Sequence, residues 1–232
     1  MASPHELSDI RRYSSYESAA VPYESICSAA THFLATREAN RKALFEYAHH
    51  LKNLGNTLFK LLSEALGLKP SHRADIECNQ GQVLLCHYYP PYSQSELAIG
   101  TCRHSDGGFL TILLQGENGG LQIFNEDQWV DVTPMPRAFI VNISDLLQLI
   151  SNDGSRSVEH RILVKNIAPW VSIAYSFGTH IDPTSTRIYS PIKELLFDEN
   201  QLLYRETLAS DDIKHYYSIG LDAKTAISHY QL

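Results

Sequence analysis

FLTILLQGENGGLQIFNEDQWVDVTPMPRAFIVNI, residues 109–143, is the stretch that decides the fold. It holds four short runs rich in β-branched and aromatic residues, FLTILLQ, GLQIF, QWVDV and RAFIVNI, which are separated by Gly, Asn, Asp and Pro. Runs of this kind between turn residues predict β-strands with tight connections. The same pattern continues outward, in QVLLCHYY and LAIGTCRH before the stretch and in SVEHRILV and WVSIAYSF after it. Eight short strands at this spacing favour a mainly β jelly roll or barrel over βαβ units.

Helical patterns flank the predicted strands. Residues 40–68, NRKALFEYAHHLKNLGNTLFKLLSEALGL, carry apolar side chains at three- and four-residue steps, which predicts one apolar face of a long helix ending near Gly67. The members of this face are Leu44, Ala48, Leu51, Leu54, Leu58, Leu61, Leu62 and Leu66. SDLLQLISN predicts a short helix between two strands, and PIKELLFDEN and DDIKHYYSIG predict small helices on the outside or over the mouth of the barrel.

These patterns predict one domain with an N-terminal extension. Residues 1–21 are polar and aperiodic, so we expect a flexible N-terminus. Residues 22–70 are then a helical arm packed on the barrel, and residues 71–232 are the jelly-roll domain.

Charge and cysteine pattern exclude several classes of protein. The 19 Lys and Arg against 26 Asp and Glu give 19 − 26 = −7, so we expect no nucleic acid and no membrane partner. Cys27, Cys78, Cys86 and Cys102 form no CxxC pair, which argues against a zinc ribbon or a disulfide-stapled secreted domain. The chain has no apolar leader and no stretch long enough for a membrane span, so we expect a cytoplasmic protein.

A candidate metal site lies in TCRHSDGGFL, residues 101–110. His104 and Asp106 stand two positions apart, and a third ligand could come from His160 in SVEHRILV, 160 − 106 = 54 residues beyond Asp106. Two imidazoles and one carboxylate on one face leave open positions on non-haem Fe(II). The spacing alone is a weak signal, because HxD pairs are frequent by chance. We interpret most other histidines as surface or packing residues, among them His49, His50, His215 and His229.

The sequence around these residues resembles a known family. From HSDGGFLTILLQ to SVEHRILV the sequence is similar to the catalytic core of plant 2-oxoglutarate and Fe(II)-dependent dioxygenases. GGLQI, WVDV, VNISDLLQLISN and SVEHR look most like the 1-aminocyclopropane-1-carboxylate oxidase homologues, which include alkaloid hydroxylases of the deacetoxyvindoline 4-hydroxylase kind. The resemblance runs from about residue 41 to residue 232. It implies a double-stranded β-helix, with His104, Asp106 and His160 as both the iron ligands and the catalytic centre.

The resemblance also implies a function. Members of this family hydroxylate or desaturate a small organic substrate with Fe(II), O₂ and 2-oxoglutarate, in plant specialised metabolism such as alkaloid biosynthesis. They hold the distal carboxylate of 2-oxoglutarate with an Arg-x-Ser motif on the strand after the last His ligand. In APWVSIAYSF, Ser172 is in place but Trp170 stands at the arginine position. Tryptophan offers one N–H donor and no charge, so the resemblance makes 2-oxoglutarate a doubtful cosubstrate for this chain.

Other positions also bear on how this chain differs from the family pattern. Arg161 and Lys165 are the nearest cations in sequence, but strand alternation directs Arg161 to the face opposite His160. Tyr89 in HYYPPY matches a family tyrosine that contacts the cosubstrate, although packing at a strand end explains it equally well. Arg137 and Ser144 stand where the family pattern has glycine.

The beginning of the chain also differs from the family. Family members usually carry a further N-terminal segment that covers part of the barrel. We therefore expect a naturally short form or a fragment, with a partner chain able to cover an exposed patch in an oligomer.

Two classes of function follow. The leading hypothesis is an Fe(II)-dependent dioxygenase-type oxidoreductase acting on a small molecule. The alternative is a divergent member that has lost 2-oxoglutarate turnover. It would catalyse a non-oxidative cyclisation or condensation, with histidine, Tyr89 or the metal as acid-base groups, or it would only bind a small molecule.

Overall fold

The computed structural model describes residues 38–69, 77–93, 99–179, 186–219 and 226–232. All eight predicted strands are present, and two further two-residue strands follow them. The strands are β1 (Gly81–Tyr89), β2 (Ile99–His104), β3 (Leu110–Gln115), β4 (Leu121–Asn125), β5 (Gln128–Asp131), β6 (Ile140–Ile143), β7 (His160–Leu163), β8 (Trp170–Gly178), β9 (Ile188–Tyr189) and β10 (Thr207–Leu208). The N-terminus predicted to be flexible, residues 1–21, and the first part of the arm lie outside the described residues.

The eight longer strands form two antiparallel four-stranded sheets. The major sheet has the order β1-β8-β3-β6 and the minor sheet the order β2-β7-β4-β5. The chain passes repeatedly from one sheet to the other, so all neighbouring strands in a sheet except β4 and β5 are distant in sequence. This crossing pattern confirms the predicted jelly roll.

The long helix α1 (Glu38–Ala65) lies against the outer face of the major sheet. It ends before Gly67, whose φ of 73° is the left-handed conformation that glycine supplies after a helix. Gly55 lets the helix approach closely, because a Cβ there would lie 2.0 Å from the Phe177 ring. The Phe59 ring meets the same Phe177 edge-on, at 5.4 Å between centroids. The interface is therefore shaped by aromatic side chains of the sheet.

The prediction that Leu61 belongs to the buried face of the helix is wrong. Leu61 is 53% exposed, whereas Phe59 and Ser63 are buried. At about 100° per residue, Leu61 lies roughly 200° around the helix from Phe59. The contact stripe therefore follows Ala48, Phe59 and Ser63 rather than every leucine of the pattern.

Two of the three short helices predicted after α1 are present. The short helix α2 (Asp145–Ile150) and the later helix α3 (Ala209–Ile219) are present. PIKELLFDEN forms only a 3-10 turn, Lys193–Leu195, because a tight turn between Phe197 and Asn200 follows at once. No helix in the described part of the chain is long and apolar enough to cross a membrane.

Two hydrophobic clusters fill the fold. The larger one lies between α1, α2, the C-terminal segments and the outer face of the major sheet. The smaller one lies between the two sheets and consists of Leu113, Leu121, Ile162, Trp170 and Ala174. The smaller cluster occupies one end of the barrel interior, and the candidate metal ligands lie at the other end.

Candidate metal centre

The register of two neighbouring strands brings the three predicted ligands together. In the minor sheet β2 pairs with β7, and His104 stands directly opposite His160. Their ring centroids are 4.3 Å apart. Asp106 follows two residues after the end of β2. One ligand atom from each of the three side chains lies within 4.8 Å of the others.

The distances suit a shared cation. Nε2 of His160 lies 3.6 Å from Oδ1 of Asp106, and Nε2 of His104 lies 3.9 Å from the same oxygen. Atoms that bind one ion at about 2.1 Å are separated by roughly 3–3.5 Å, so a small closure of this cluster would complete a site.

Both imidazoles have their other nitrogen engaged. Nδ1 of His104 lies 2.8 Å from the carbonyl of Cys102, and Nδ1 of His160 lies 3.1 Å from the carbonyl of Val158. A carbonyl only accepts, so each Nδ1 carries the proton and donates it. Each Nε2 then presents a lone pair to the cluster, which is the tautomer that a metal ligand needs.

Electrostatics keep the cluster in its metal-binding ionisation state. Burial lowers the pKa of His104, and the neighbouring His160 lowers it further against the opposing effect of Asp106. Burial would raise the pKa of Asp106, but His160 and His104 lower it, together with Thr111 and Asn142, and the net shift is downward. At neutral pH the site therefore combines a neutral His104 with a carboxylate, as metal binding requires.

The loop that carries Asp106 is fixed from behind by helix α2. The backbone N–H of Asp145 donates to the Asp106 carbonyl at 3.0 Å, and that of Leu146 donates to the Gly108 carbonyl at 2.8 Å. Gly108 has a φ of 82°, and a Cβ there would lie 2.7 Å from the Phe177 carbonyl oxygen. The glycine after HSD is therefore needed for the chain to turn beside the ligands.

His87 is a site residue that the sequence reasoning missed. It lies on β1, two residues before Tyr89 and on the same face, and its Nδ1 is 3.3 Å from Oγ of Ser172. Burial lowers the pKa of His87 to about 4; the charge of Asp106 opposes this shift and His104 adds to it. Alternation along β1 from Tyr89 was the signal that could have found it.

Tyr89 and Trp170 stand beyond His87, further from the ligands. Their rings are 5.5 Å apart at 48°, and the Tyr89 ring lies parallel to that of His87. The Tyr89 hydroxyl is 2.8 Å from the Thr101 hydroxyl. The barrel interior thus continues from the metal ligands into a layer of aromatic rings and hydroxyl groups.

Trp170 closes that end of the interior. Only 1% of its surface is exposed, and its Nε1 is buried with no hydrogen-bond partner among the described residues. A Cβ at Gly120 would lie 3.2 Å from the indole, so glycine makes room for the ring.

Three basic side chains of β2, β7 and the loop after β7 are engaged with groups other than Trp170. The Arg161 guanidinium lies 4.0 Å over the Trp129 ring, and its Nε donates to Gln122 at 2.8 Å. Lys165 donates to the carbonyl of Asn118, and Arg103 pairs with Glu159. Arg161 therefore takes the outward direction that alternation predicts.

The residues present fit the two family cofactors unequally. The three-ligand cluster fits Fe(II), because its nitrogens are free to bind and its carboxylate is charged. The described surroundings of Trp170 do not fit the distal carboxylate of 2-oxoglutarate, because the tryptophan supplies no charge, Arg161 lies over Trp129, and Lys165 is bound to the Asn118 carbonyl.

Comparison with known proteins gives the family. The 2OG-Fe(II) oxygenase superfamily matches residues 80–179. The chain is 51% identical over 195 residues to 1-aminocyclopropane-1-carboxylate oxidase homolog 6 of Arabidopsis thaliana, covering 84% of this chain and 54% of the relative. It is 47% identical over 195 residues to deacetoxyvindoline 4-hydroxylase of Catharanthus roseus, covering 83% and 49%. The chain thus spans about half the length of the curated relatives it matches.

Solved structures agree with the sequence relatives. The dioxygenase for auxin oxidation in rice superposes with a TM-score of 0.75 at 27% identity, over 89% of this chain and 68% of that one. JOX2 in complex with 2OG, Fe and JA also gives a TM-score of 0.75, at 30% identity, over 85% of this chain and 58% of that one. With the jelly roll and the His-Asp-His cluster already in place, these matches show that the chain carries a domain of the 2OG-Fe(II) oxygenase superfamily.

Proposed function

We propose that this chain binds one ferrous ion through His104, Asp106 and His160 and acts as an oxygenase on a small organic substrate. The observation that supports the proposal best is that two unprotonated Nε2 atoms lie 3.6 and 3.9 Å from the same carboxylate oxygen, Oδ1 of Asp106. When bound, Fe(II) in a two-histidine, one-carboxylate site keeps open positions at which O₂ and a second ligand can meet.

The protein's own groups have separate tasks in this proposal. The carbonyls of Cys102 and Val158 fix the tautomers of the two histidines. Helix α2 holds the Asp106 loop in place. His87 is uncharged at neutral pH and adds no positive charge beside the cation, while Ser172 offers a hydroxyl near the open side.

The substrate class rests on the relatives. Deacetoxyvindoline 4-hydroxylase is a hydroxylase by name, and the other curated relatives are 1-aminocyclopropane-1-carboxylate oxidase homologues. We therefore propose hydroxylation or desaturation of a small plant compound, with alkaloid biosynthesis as one setting.

The test is metal titration of the purified chain. We expect one equivalent of Fe(II), added anaerobically, or of Zn(II) to bind per chain. His160→Ala should weaken binding by at least 100-fold, because the loss of one of three ligands also leaves Asp106 with a single histidine neighbour. His49→Ala on the exposed surface of α1 is the matched control and should bind normally. Unchanged metal content in His160→Ala would refute the site.

A second candidate function is favoured by Trp170. If the chain does not turn over a 2-oxo acid, the same cavity serves a non-oxidative reaction or small-molecule binding, with Tyr89 or the metal as an acid-base group. Product formation in the absence of O₂ would support this candidate. A strict requirement for O₂ would rule it out.

We also propose that a second copy of the chain covers part of the major sheet. Tyr88 and Val171 are paired on the outer face beyond the end of α1, and they are 50% and 46% exposed. Val141 on β6 is also exposed on this face. Light scattering after gel filtration should give a dimer mass, and Val171→Glu should shift it to the monomer. A monomer mass for the unaltered chain would rule out this interface.

The location, the partners and the domain boundaries are proposed from the sequence. We propose a cytoplasmic protein without nucleic-acid or membrane partners, because of its net charge and its cysteine pattern. We propose residues 22–70 as the arm and residues 71–232 as the jelly-roll domain. The packing of α1 on β3 and β8 supports that division.

A further inference from the structure

We propose that the end of the barrel interior lined by Tyr89, Trp170 and Ser172 is a neutral subsite for the tail of a 2-oxo monocarboxylic acid, and that this chain selects against 2-oxoglutarate. The inference rests on the proposed metal centre, where the oxo acid group would be held. It concerns the part of the barrel interior in which this chain differs from the family that it resembles.

The position of this neutral subsite follows from the strand register. His87 pairs with Ser172 and Tyr89 pairs with Trp170 across β1 and β8. His87 lies close enough to the metal ligands for Asp106 and His104 to shift its pKa. Two residues along a strand span about 7 Å, so Trp170 stands that far beyond the His87 level. This distance matches the length of a short acyl chain.

Among the described residues, the polar groups that line the neutral subsite are uncharged. Trp170 contributes an indole N–H and Ser172 a hydroxyl, while the hydroxyls of Tyr89 and Thr101 lie 2.8 Å apart. His87 is neutral above about pH 4. Arg161 lies over the Trp129 ring, and the exposed Lys165 donates to the Asn118 carbonyl. A carboxylate at this place would be buried without a counter-charge from the described part of the chain, so an acid that carries one should bind about 10²–10³-fold more weakly than its neutral isostere.

The unpaired indole N–H defines the tail further. A buried donor without a partner is unfavourable, and a ligand oxygen that accepts its hydrogen bond removes that penalty. The walls beside it are apolar, from Leu113, Leu121 and Ile162. The preferred tail is therefore uncharged and mainly apolar, with one acceptor oxygen that can reach Trp170.

A set of three acids tests the proposal. 2-Oxopentanoate has the same five-carbon chain as 2-oxoglutarate and lacks only the distal carboxylate, and the 5-methyl ester of 2-oxoglutarate keeps the acceptor oxygen without the charge. Calorimetric titration of the Zn(II)-loaded chain should show both neutral acids binding at least 100-fold more tightly than 2-oxoglutarate. The ester should bind most tightly of the three.

Substitutions of the two tryptophans test whether Trp170 causes the difference in affinity among the three acids. Trp170→Arg should reverse the order in favour of 2-oxoglutarate, and Trp170→Phe should remove about tenfold of the ester's advantage while it keeps the preference for neutral acids. The chain has two tryptophans, so Trp129→Phe leaves Trp170 as the sole one, and its fluorescence should change on binding of the neutral acids. The order of affinities in the unaltered chain is sufficient as a test if the arginine variant does not fold.

The outcomes separate the two proposals. Failure of Zn(II) and Fe(II) to bind refutes the proposed function, and this inference with it. Normal metal binding with 2-oxoglutarate equal to or tighter than 2-oxopentanoate overturns the inference alone. Normal metal binding with none of the three acids binding also overturns the inference alone, and shows that Trp170 fills the space completely.

Discussion

The two ends of the barrel interior are built on different principles. At the metal end, two imidazoles face a charged carboxylate, and each imidazole donates its Nδ1–H to a backbone carbonyl. At the neutral end, Trp170 is packed among aliphatic side chains, and its single N–H has no partner. The first end is arranged for a cation and the second for an uncharged group. In the two proposals above, metal binding and cosubstrate choice therefore depend on separate residues.

The contrast extends to what holds each end in place. The metal end depends on backbone hydrogen bonds and on the start of helix α2, which fix direction. The neutral end depends on van der Waals packing between the two sheets, which fixes volume. Substitutions at the two ends should therefore produce different kinds of damage.

The largest expected effect is on stability, at the neutral end. Trp170→Ala should lower the free energy of unfolding by about 3–5 kcal/mol, because it opens a large cavity between the sheets. Ile167→Ala, at an 89% exposed position in the loop before the same strand, is the control and should change stability by less than about 1 kcal/mol. Urea denaturation measures both. Equal losses at the two positions would show that the interior around Trp170 is not closely packed.

At the metal end, a single substitution should leave the fold intact and weaken metal binding. Asp106→Asn keeps the shape of the side chain and loses its charge, so affinity for Fe(II) or Zn(II) should fall about 10²–10³-fold, or roughly 3–4 kcal/mol. Asp198→Asn, on an exposed turn, is the control. Retention of affinity within a factor of ten would mean that Asp106 is not a ligand.

The sequence predicted the metal end better than the neutral end. His104 and Asp106 stand two positions apart in sequence, and His160 comes from a strand whose place the jelly roll fixes. Strand alternation also predicted the outward direction of Arg161. His87 was missed, because a histidine in a strand gives no signal until its neighbours across the barrel are known.

The fold shows a similar division. The eight strands were predictable because short β-rich runs between turn residues are local signals. Two errors came from tertiary contacts. The exposure of Leu61 depends on which stripe of α1 meets Phe177, and the 3-10 turn at Lys193–Leu195 depends on the turn that follows it. Neither contact can be read from one segment alone.

A third prediction concerns the support behind the metal end. Burial raises the pKa of Asp212 on α3 to about 7; Tyr230 opposes this shift and the charge of Asp145 adds to it. Asp145 begins α2, next to the metal loop, and burial raises its pKa to about 6. The folded state therefore keeps a proton on Asp212 that the unfolded chain releases above about pH 4.

The sign of the effect on stability follows from this proton. Because the folded state binds more protons, the free energy of unfolding should fall as pH rises from about 4 to 7 and level off above 7. Asp212→Asn should remove roughly 2–4 kcal/mol of this fall. Urea denaturation at pH 5 and pH 8 measures it, with Asp211→Asn at the exposed neighbouring position as the control. An unaltered pH profile in Asp212→Asn would show that Asp212 is not the group that titrates.

The smallest predicted effect lies in the loop that leads into the neutral end. Ala138 N–H donates to the Met135 carbonyl at 3.2 Å, so residues 135–138 form a β-turn with Pro136 and Arg137 at its centre. Arg137 has a φ of 63°, the conformation that a type II turn requires at its third residue and that glycine adopts most easily. This is one of the two positions at which the family pattern has glycine.

Arg137→Gly should therefore raise the free energy of unfolding by about 0.5–1 kcal/mol, because relief of the left-handed strain exceeds the added entropy of the unfolded chain. Arg137→Ala keeps the Cβ and should give no gain. If alanine stabilises as much as glycine, the arginine side chain itself is unfavourable and the backbone is not strained. If glycine alone stabilises, and the affinities for the metal and for the three acids stay unchanged, the loop shapes the turn into β6 and has no part in the contrast between the two ends.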